Sequence, residues 1–297
     1  DKWLDRSEED SLADRTDFAS VMSRCVGAEG SRPQLTFFLD PYHFAERIVK
    51  RGGAAAFVWP IVEELGISKI RGLGGSTFVG EDVFEGIIHL HVLIDPPRDG
   101  FFGVLRPETG QSIPPKWVPA DVSAYTSINW DFETTYENLD KVLAKFQGED
   151  PLKRLVEEPV KRDVGVSVRE ELIDNFTGRY VSCGWIEPPV KLNSQAQAYA
   201  LKLKDPLKAK SVIASFRDRR PNDLEVETIG GTVVYFSKRG GRRRENMPQG
   251  LRRPEPGLMI LGDWAIFSDS REFLTRITRA NNDAMPRLVN VPEYELV

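Results

Sequence analysis

His89 and His91 carry the clearest metal chemistry in this sequence. In "EGIIHLHVLID", residues 85–95, an H-x-H pair on a strand puts both imidazoles on one face, because successive side chains alternate. Such pairs ligate zinc or copper when a third ligand completes the set. Asp95 shares the parity of positions 89, 91 and 93 but stands several residues away. The opposing reading places the two histidines on a solvent-facing side, with Ile88, Leu90, Val92 and Leu93 supplying the apolar content. Two ligands without a spacing signal for a third specify no metal site, so no metal or cofactor is assigned.

The other reactive residues are sparser still. Cys25 and Cys183 fit no CxxC or zinc spacing and are expected as two unpaired, partly buried thiols. A single disulfide is the first alternative. A catalytic thiol at Cys183, within the strand-like "RYVSCGWIE", is the second, and no histidine stands near it in sequence. Arg242, Arg243 and Arg244 in "SKRGGRRRENM" could meet nucleic acid or an anionic membrane surface, but the run lacks interleaved aromatics and a second basic run. It reads as a solvated hairpin loop. "RGLGGSTFVGEDVFEG" lacks the Lys-Ser/Thr ending of a phosphate loop and the GxGxxG order, and reads as a hairpin loop too. Only three histidines exist, at 43, 89 and 91, and GxSxG, HExxH and SxxK are absent. The 45 acidic residues leave room for carboxylate-only chemistry, as in glycoside hydrolysis, without singling out a pair. No catalytic residue is assigned.

Three copies of one local join organise the chain. In "AYALKLKDPLKAKSVIASF", Tyr199, Leu201 and Leu203 share one strand face and Lys202 and Lys204 the other. Asp205 then suits a helix N-cap, Pro206 the first helical position, and Ala209, Val212, Ile213 and Phe216 recur at helical spacing. "AYTSINWDFETTYENLDKVLAKF" repeats the pattern around Asp131, with early Glu133 and Glu137 and late Lys141 and Lys145 matching the helix dipole. "QLTFFLDPYHFAERIVKR" repeats it around Asp40, with Gly52-Gly53 as the stop. The three aspartates lie 91 and 74 positions apart, too irregular for a tight solenoid. A short helix starting near Pro60 is expected in "FVWPIVEELGI". Strands are expected in "TIGGTVVYF" and "GRYVSCGWI" and around the Gly262-Asp263 turn, followed by a helix capped by Ser268 or Asp269.

Tight turns make antiparallel pairs, so the expected class is α+β: duplicated units of twisted antiparallel sheet with helices packed on one face. The expected divisions are a polar, poorly packed lead-in (1–30) and α+β units at 31–120, 121–190 and 191–297. A net charge of -5, with 45 acids against 40 bases, gives no bias toward polyanions, so no nucleic acid is expected. No apolar run reaches the ~20 residues of a spanning helix. The chain opens on Asp1, and a signal peptide or anchor upstream is expected.

This order of features resembles a family of exported bacterial proteins known only as a domain of unknown function. The matching pieces are "YALKLKDP", "GGTVVYF", "LMILGDWAIFSDSREFL" and the "VPADVSAYTSINWD" lead into a strand, loosely spanning residues 31 to 285. The resemblance brings no catalytic residues with it. It implies export to the periplasm or envelope, repeated units, and a binding or envelope-structural role. The function expected is a non-enzymatic module that meets a protein partner or a hydrophobic ligand. A carboxylate-dependent hydrolase acting on a polymer, or a metal-binding protein using His89 and His91, are the alternatives.

Overall fold

All three expected joins are present in the structure, a computed structural model that describes residues 11–25, 32–49, 59, 63–79, 86–238 and 250–295. The chain divides into two compact units, Asp1–Leu105 and Arg106–Val297. Both combine antiparallel sheet with helices, the α+β class. Among the described residues no helix is long and apolar enough to cross a membrane.

The first unit contains α1 (Thr16–Met22), β1 (Leu35–Leu39), α2 (Pro41–Val49), β2 (Ile70–Phe78), β3 (Ile87–Ile94) and α3 (Gly100–Val104). Its sheet has the order β1-β2-β3, antiparallel throughout. Two expectations need correcting here. Residues 71–78 of the stretch 71–86, expected as a hairpin loop, belong to the central strand: its glycines sit where large groups cross it closely. A Cβ on Gly72 would lie 2.7 Å from the Phe38 ring, and one on Gly74 would collide with Val21 of α1. The N-terminal segment, expected to pack poorly, supplies that helix. Val21 is buried, and Phe18 meets Phe38 edge-to-face at 5.4 Å. Residues 1–10, Gly52-Gly53, Pro60 at the start of the expected short helix, and Arg242–Arg244 lie outside the described residues.

The second unit runs β4 (Ala124–Asn129), α4 (Phe132–Gln147), α5 (Glu158–Val164), β5 (Phe176–Ile186), β6 (Gln195–Leu203), α6 (Pro206–Arg219), β7 (Leu224–Ile229), β8 (Thr232–Ser237), β9 (Gly257–Leu261), β10 (Trp264–Ser268), α7 (Arg271–Asn281) and α8 (Pro292–Glu295). Its seven strands form one antiparallel sheet in the order β4-β5-β6-β10-β9-β8-β7. Segments 121–190 and 191–297, read separately in the sequence, thus share one sheet. Helices cover both of its faces rather than the single face expected. Phe273, Leu274 and Ile277 of α7 pack against Met259, Leu261 and Ile266, while Ile213 of α6 packs with Leu203 and Ile260 on the opposite parity. The run "GLMIL" of β9 has both parities buried, as strands covered on two faces do.

The caps carry the joins. Asp40 Oδ1 accepts from the His43 amide at 3.0 Å, Asp131 Oδ1 from the Thr134 amide at 2.9 Å, and Asp205 Oδ1 from the Leu207 amide at 2.8 Å. Each satisfies a donor that the first helical turn leaves free. A fourth join follows β10, where the cap is Ser270, whose Oγ accepts from the Phe273 amide at 3.1 Å. Neither Ser268 nor Asp269 takes that place. Asp269 instead accepts from the Gln197 amide and pairs with the buried Arg252, which fixes it one position ahead of the cap.

Candidate functional site

The first unit brings His89 and His91 to one face, as their spacing requires, with ring centroids 6.3 Å apart. That face is the covered one, opposite to the solvent-facing placement considered from sequence. His91 lies beside Ser20, Val21 and Arg24, and His89 against the Phe78 ring at 5.4 Å. Ile88, Leu90 and Val92 are turned outward, Ile88 being 75% exposed. The reason is where α1 lands: it needs the glycines of β2, and the parity facing those glycines belongs to the histidines. Asp95 pairs with Arg71 at 3.6 Å. Among the described residues no group of three His, Cys, Asp or Glu is placed to hold a metal.

Cys25 and Cys183 are free and buried. Burial pushes the Cys183 thiol up to about 12. It is therefore protonated at neutral pH and is no nucleophile.

Two concavities mark the second unit. The larger, a groove of about 580 Å³, lies along α4 and a stretch that contains two π turns, Lys153–Glu157 and Val168–Leu172. Six carboxylates and four cations line it. Three of those carboxylates are occupied with holding the walls. Glu157 accepts from the Tyr136 hydroxyl at 2.8 Å and from the amides of Arg169 and Val168 at 2.8 and 3.0 Å. Asp140 accepts from the Leu152 amide at 2.9 Å, and Glu137 pairs with Arg169 at 2.7 Å. Burial, together with the Glu157 carboxylate, raises the Tyr136 phenol well above the ordinary tyrosine value. Lys141, Lys153 and Lys161 are exposed.

The smaller concavity, about 250 Å³, has different walls. It opens at one end of the seven-stranded sheet, among Trp117, Arg179, Lys202, Trp264 and the Gly262-Asp263 turn. Trp117 comes from a loop held to the C-terminal segment: Leu288 N donates to Val118 O at 3.0 Å and Ala120 N to Pro286 O at 3.0 Å. Its indole meets that of Trp264 edge-to-face at 5.5 Å. Arg179 stands in β5 where its register on β6 slips between Phe176 and Tyr180, next to Gly178 at φ 98°. Such bulges re-aim side chains. The Arg179 guanidinium lies 5.5 Å from the Trp264 ring centroid, a cation–π distance. Its Nη1 donates to Gln111 Oε1 at 3.0 Å, and its Nη2 to the Ile113 carbonyl. Lys202 continues the core-facing row Ala196, Ala198 and Ala200, and pairs with Asp263 at 3.5 Å.

The sequence pattern set Lys202 on the strand face opposite Tyr199, Leu201 and Leu203 and singled out neither Trp117 nor Arg179. The period-two alanine row that ends in Lys202 was the available signal, because alanines repeated on one strand face mark the side a neighbour approaches. Trp264 was visible only as part of a hairpin strand.

The fold and site together define an α+β protein whose second unit holds an aromatic, cation-lined pocket at a sheet end. Comparison with protein families, with characterised proteins and with solved structures finds no match for this chain.

Proposed function

We propose that the protein is a non-enzymatic binding module whose second unit seats a small ligand in the Trp117–Trp264 pocket. The carrying observation is the pairing of two buried indoles with a buried arginine around a cavity of about 250 Å³. That is slightly below the ~300–1,000 Å³ of sites for drug-sized molecules, and its walls mix Trp117, Leu261 and Trp264 with Lys116, Arg179, Lys202 and Asp263, which suits a ligand that is itself partly polar. A ligand of small-metabolite size follows. A hydrolase reading would draw on the 580 Å³ groove, but there Glu137, Asp140 and Glu157 already serve amides, a phenol and an arginine. The resemblance to exported proteins supports work in the periplasm or envelope, which fractionation of the producing cell would test.

The direct test is native mass spectrometry of the protein as purified, followed by the tryptophan emission of the apo protein during titration with small aromatic metabolites. A bound mass of a few hundred daltons, or a saturable emission change lost in Trp264→Phe, is the expected result. A clean apo mass and no saturable change across the set would reject the proposal.

A further inference from the structure

Resting on that reading, we infer that the ligand presents an oxyanion, a carboxylate or phosphate group, to the Trp117–Arg179 wall of the pocket. Two donors in that wall are unspent. Trp117 is 2% exposed and Arg179 8% exposed, and both line the cavity. Trp117 Nε1 and Arg179 Nε are buried with no hydrogen-bond partner among the described residues. An indole N–H can only donate, and a guanidinium has no acceptor. A buried donor left unpaired is costly, so native proteins pair nearly all of them. The complement of two donors is a group with several acceptor lone pairs.

Charge selects among such groups. Lys116, Lys202 and Arg179 line the pocket against the single carboxylate of Asp263, a local excess of two positive charges in a chain of net charge -5. Asp263 is turned to Lys202 and half exposed. The Arg179 guanidinium is held in place by Gln111 and Ile113 through its two Nη atoms, which leaves the buried Nε as its unpaired donor. Hydrogen bonds to an ionised acceptor are about twice as strong as neutral ones. Carboxylate and phosphate share this chemistry. The two indoles in the wall favour an apolar body attached to the oxyanion.

Isothermal titration of the full chain with benzoate, phenyl phosphate and inorganic phosphate, and with the uncharged benzyl alcohol and benzamide, tests this. The expected result is that the aromatic anions bind about tenfold or more tightly than the uncharged compounds, and that added salt weakens them. Trp117→Phe removes the donor and keeps an aromatic ring, and Lys202→Gln removes a charge at the half-buried wall. Both should weaken the anions several-fold, and weaken them by clearly more than they weaken the uncharged compounds. A preference for phenyl phosphate over benzoate would name the group. Equal binding of charged and uncharged compounds would overturn the oxyanion and leave the binding module standing. Anion binding untouched by both variants would place the anion elsewhere and overturn it as well. Failure of every compound, with a clean apo mass, would overturn both readings together.

Discussion

The two concavities of the second unit hold similar kinds of polar side chain and differ in what those side chains still have to give. In the groove along α4, carboxylates predominate and the half-buried ones are committed: Glu157 alone satisfies two backbone amides and a phenol. Its remaining charges stand in water, where ion pairs contribute little. In the pocket beneath Trp264, the polar groups are few, but two donors are buried and unspent. Size alone would favour the groove. The availability of desolvated hydrogen-bonding groups favours the pocket, because a group already stripped of water gains most from a partner. The comparison holds only if the indoles are core walls, if Glu157 is structural, and if the groove's exposed cations are idle.

The largest effect tests the indoles. Trp264 is buried, meets Trp117 at 5.5 Å and lies under Arg179. Trp264→Ala should cost about 3–5 kcal/mol of stability, the range for deleting a buried aromatic, read as the loss in urea midpoint at constant slope. A loss below about 1 kcal/mol would show that the pocket wall is not part of the core and would remove the contrast with the groove.

Next comes Glu157. Glu157→Ala strips an acceptor from Val168 N, Arg169 N and Tyr136 Oη, and should cost about 1–3 kcal/mol. Amide exchange at Val168 and Arg169 should quicken in the variant. Tyr136 gives an independent reading. Burial and the Glu157 carboxylate both favour its protonated form, so its phenol should ionise well above pH 10 in the native protein and move back toward pH 10 in the variant. Unchanged exchange and an unmoved phenol would free Glu157 for chemistry and revive the hydrolase reading.

How much of this was legible in the sequence depends on distance along the chain. The joins were legible because strand alternation, an aspartate cap and helical spacing all lie within about 20 residues of one another. The H-x-H parity was legible as well. Which face it turned to was not, since that was decided by α1 settling on glycines some 50 residues downstream. Helices on both sheet faces could have been inferred from "GLMIL", a run without alternation. The pocket was out of reach: Trp117, Arg179, Lys202 and Trp264 come from four segments, and the aim of Arg179 depends on a bulge in the β5–β6 pairing. Nothing within one segment announces an unpaired donor.

A smaller effect sharpens the contrast from the groove side. Asp131 caps the helix that forms one groove wall. Burial would raise its carboxyl, but the hydroxyl and amide of Thr134, the Arg106 charge and the Glu133 amide together hold it below the usual carboxylate value. A depressed native pKa adds stability that is present above the unfolded value of ~3.9 and is lost as pH falls through the native value. Asp131→Ala should therefore cost about 1 kcal/mol at pH 7, and progressively less as the pH drops below about 4. A penalty that stays constant down to pH 2 would mean that Asp131 acts by shape rather than by its charge.

The smallest expected effect is the one most able to undo the argument. Lys153 and Lys161 stand eight residues apart, exposed at the groove, and neither has an ion-pair partner among the described residues. If the groove is a solvated surface, replacing both with alanine should change stability by no more than about 0.5 kcal/mol, as for surface positions away from special contacts. The same variant should leave the binding of benzoate and phenyl phosphate to the Trp117 pocket unchanged, since the groove and the pocket share no lining residue and exposed charges are screened at physiological salt. If it instead abolished binding of those anions, the groove would be the oxyanion site, and the unspent donors at Trp117 and Arg179 would have to be read as local cost carried by the core.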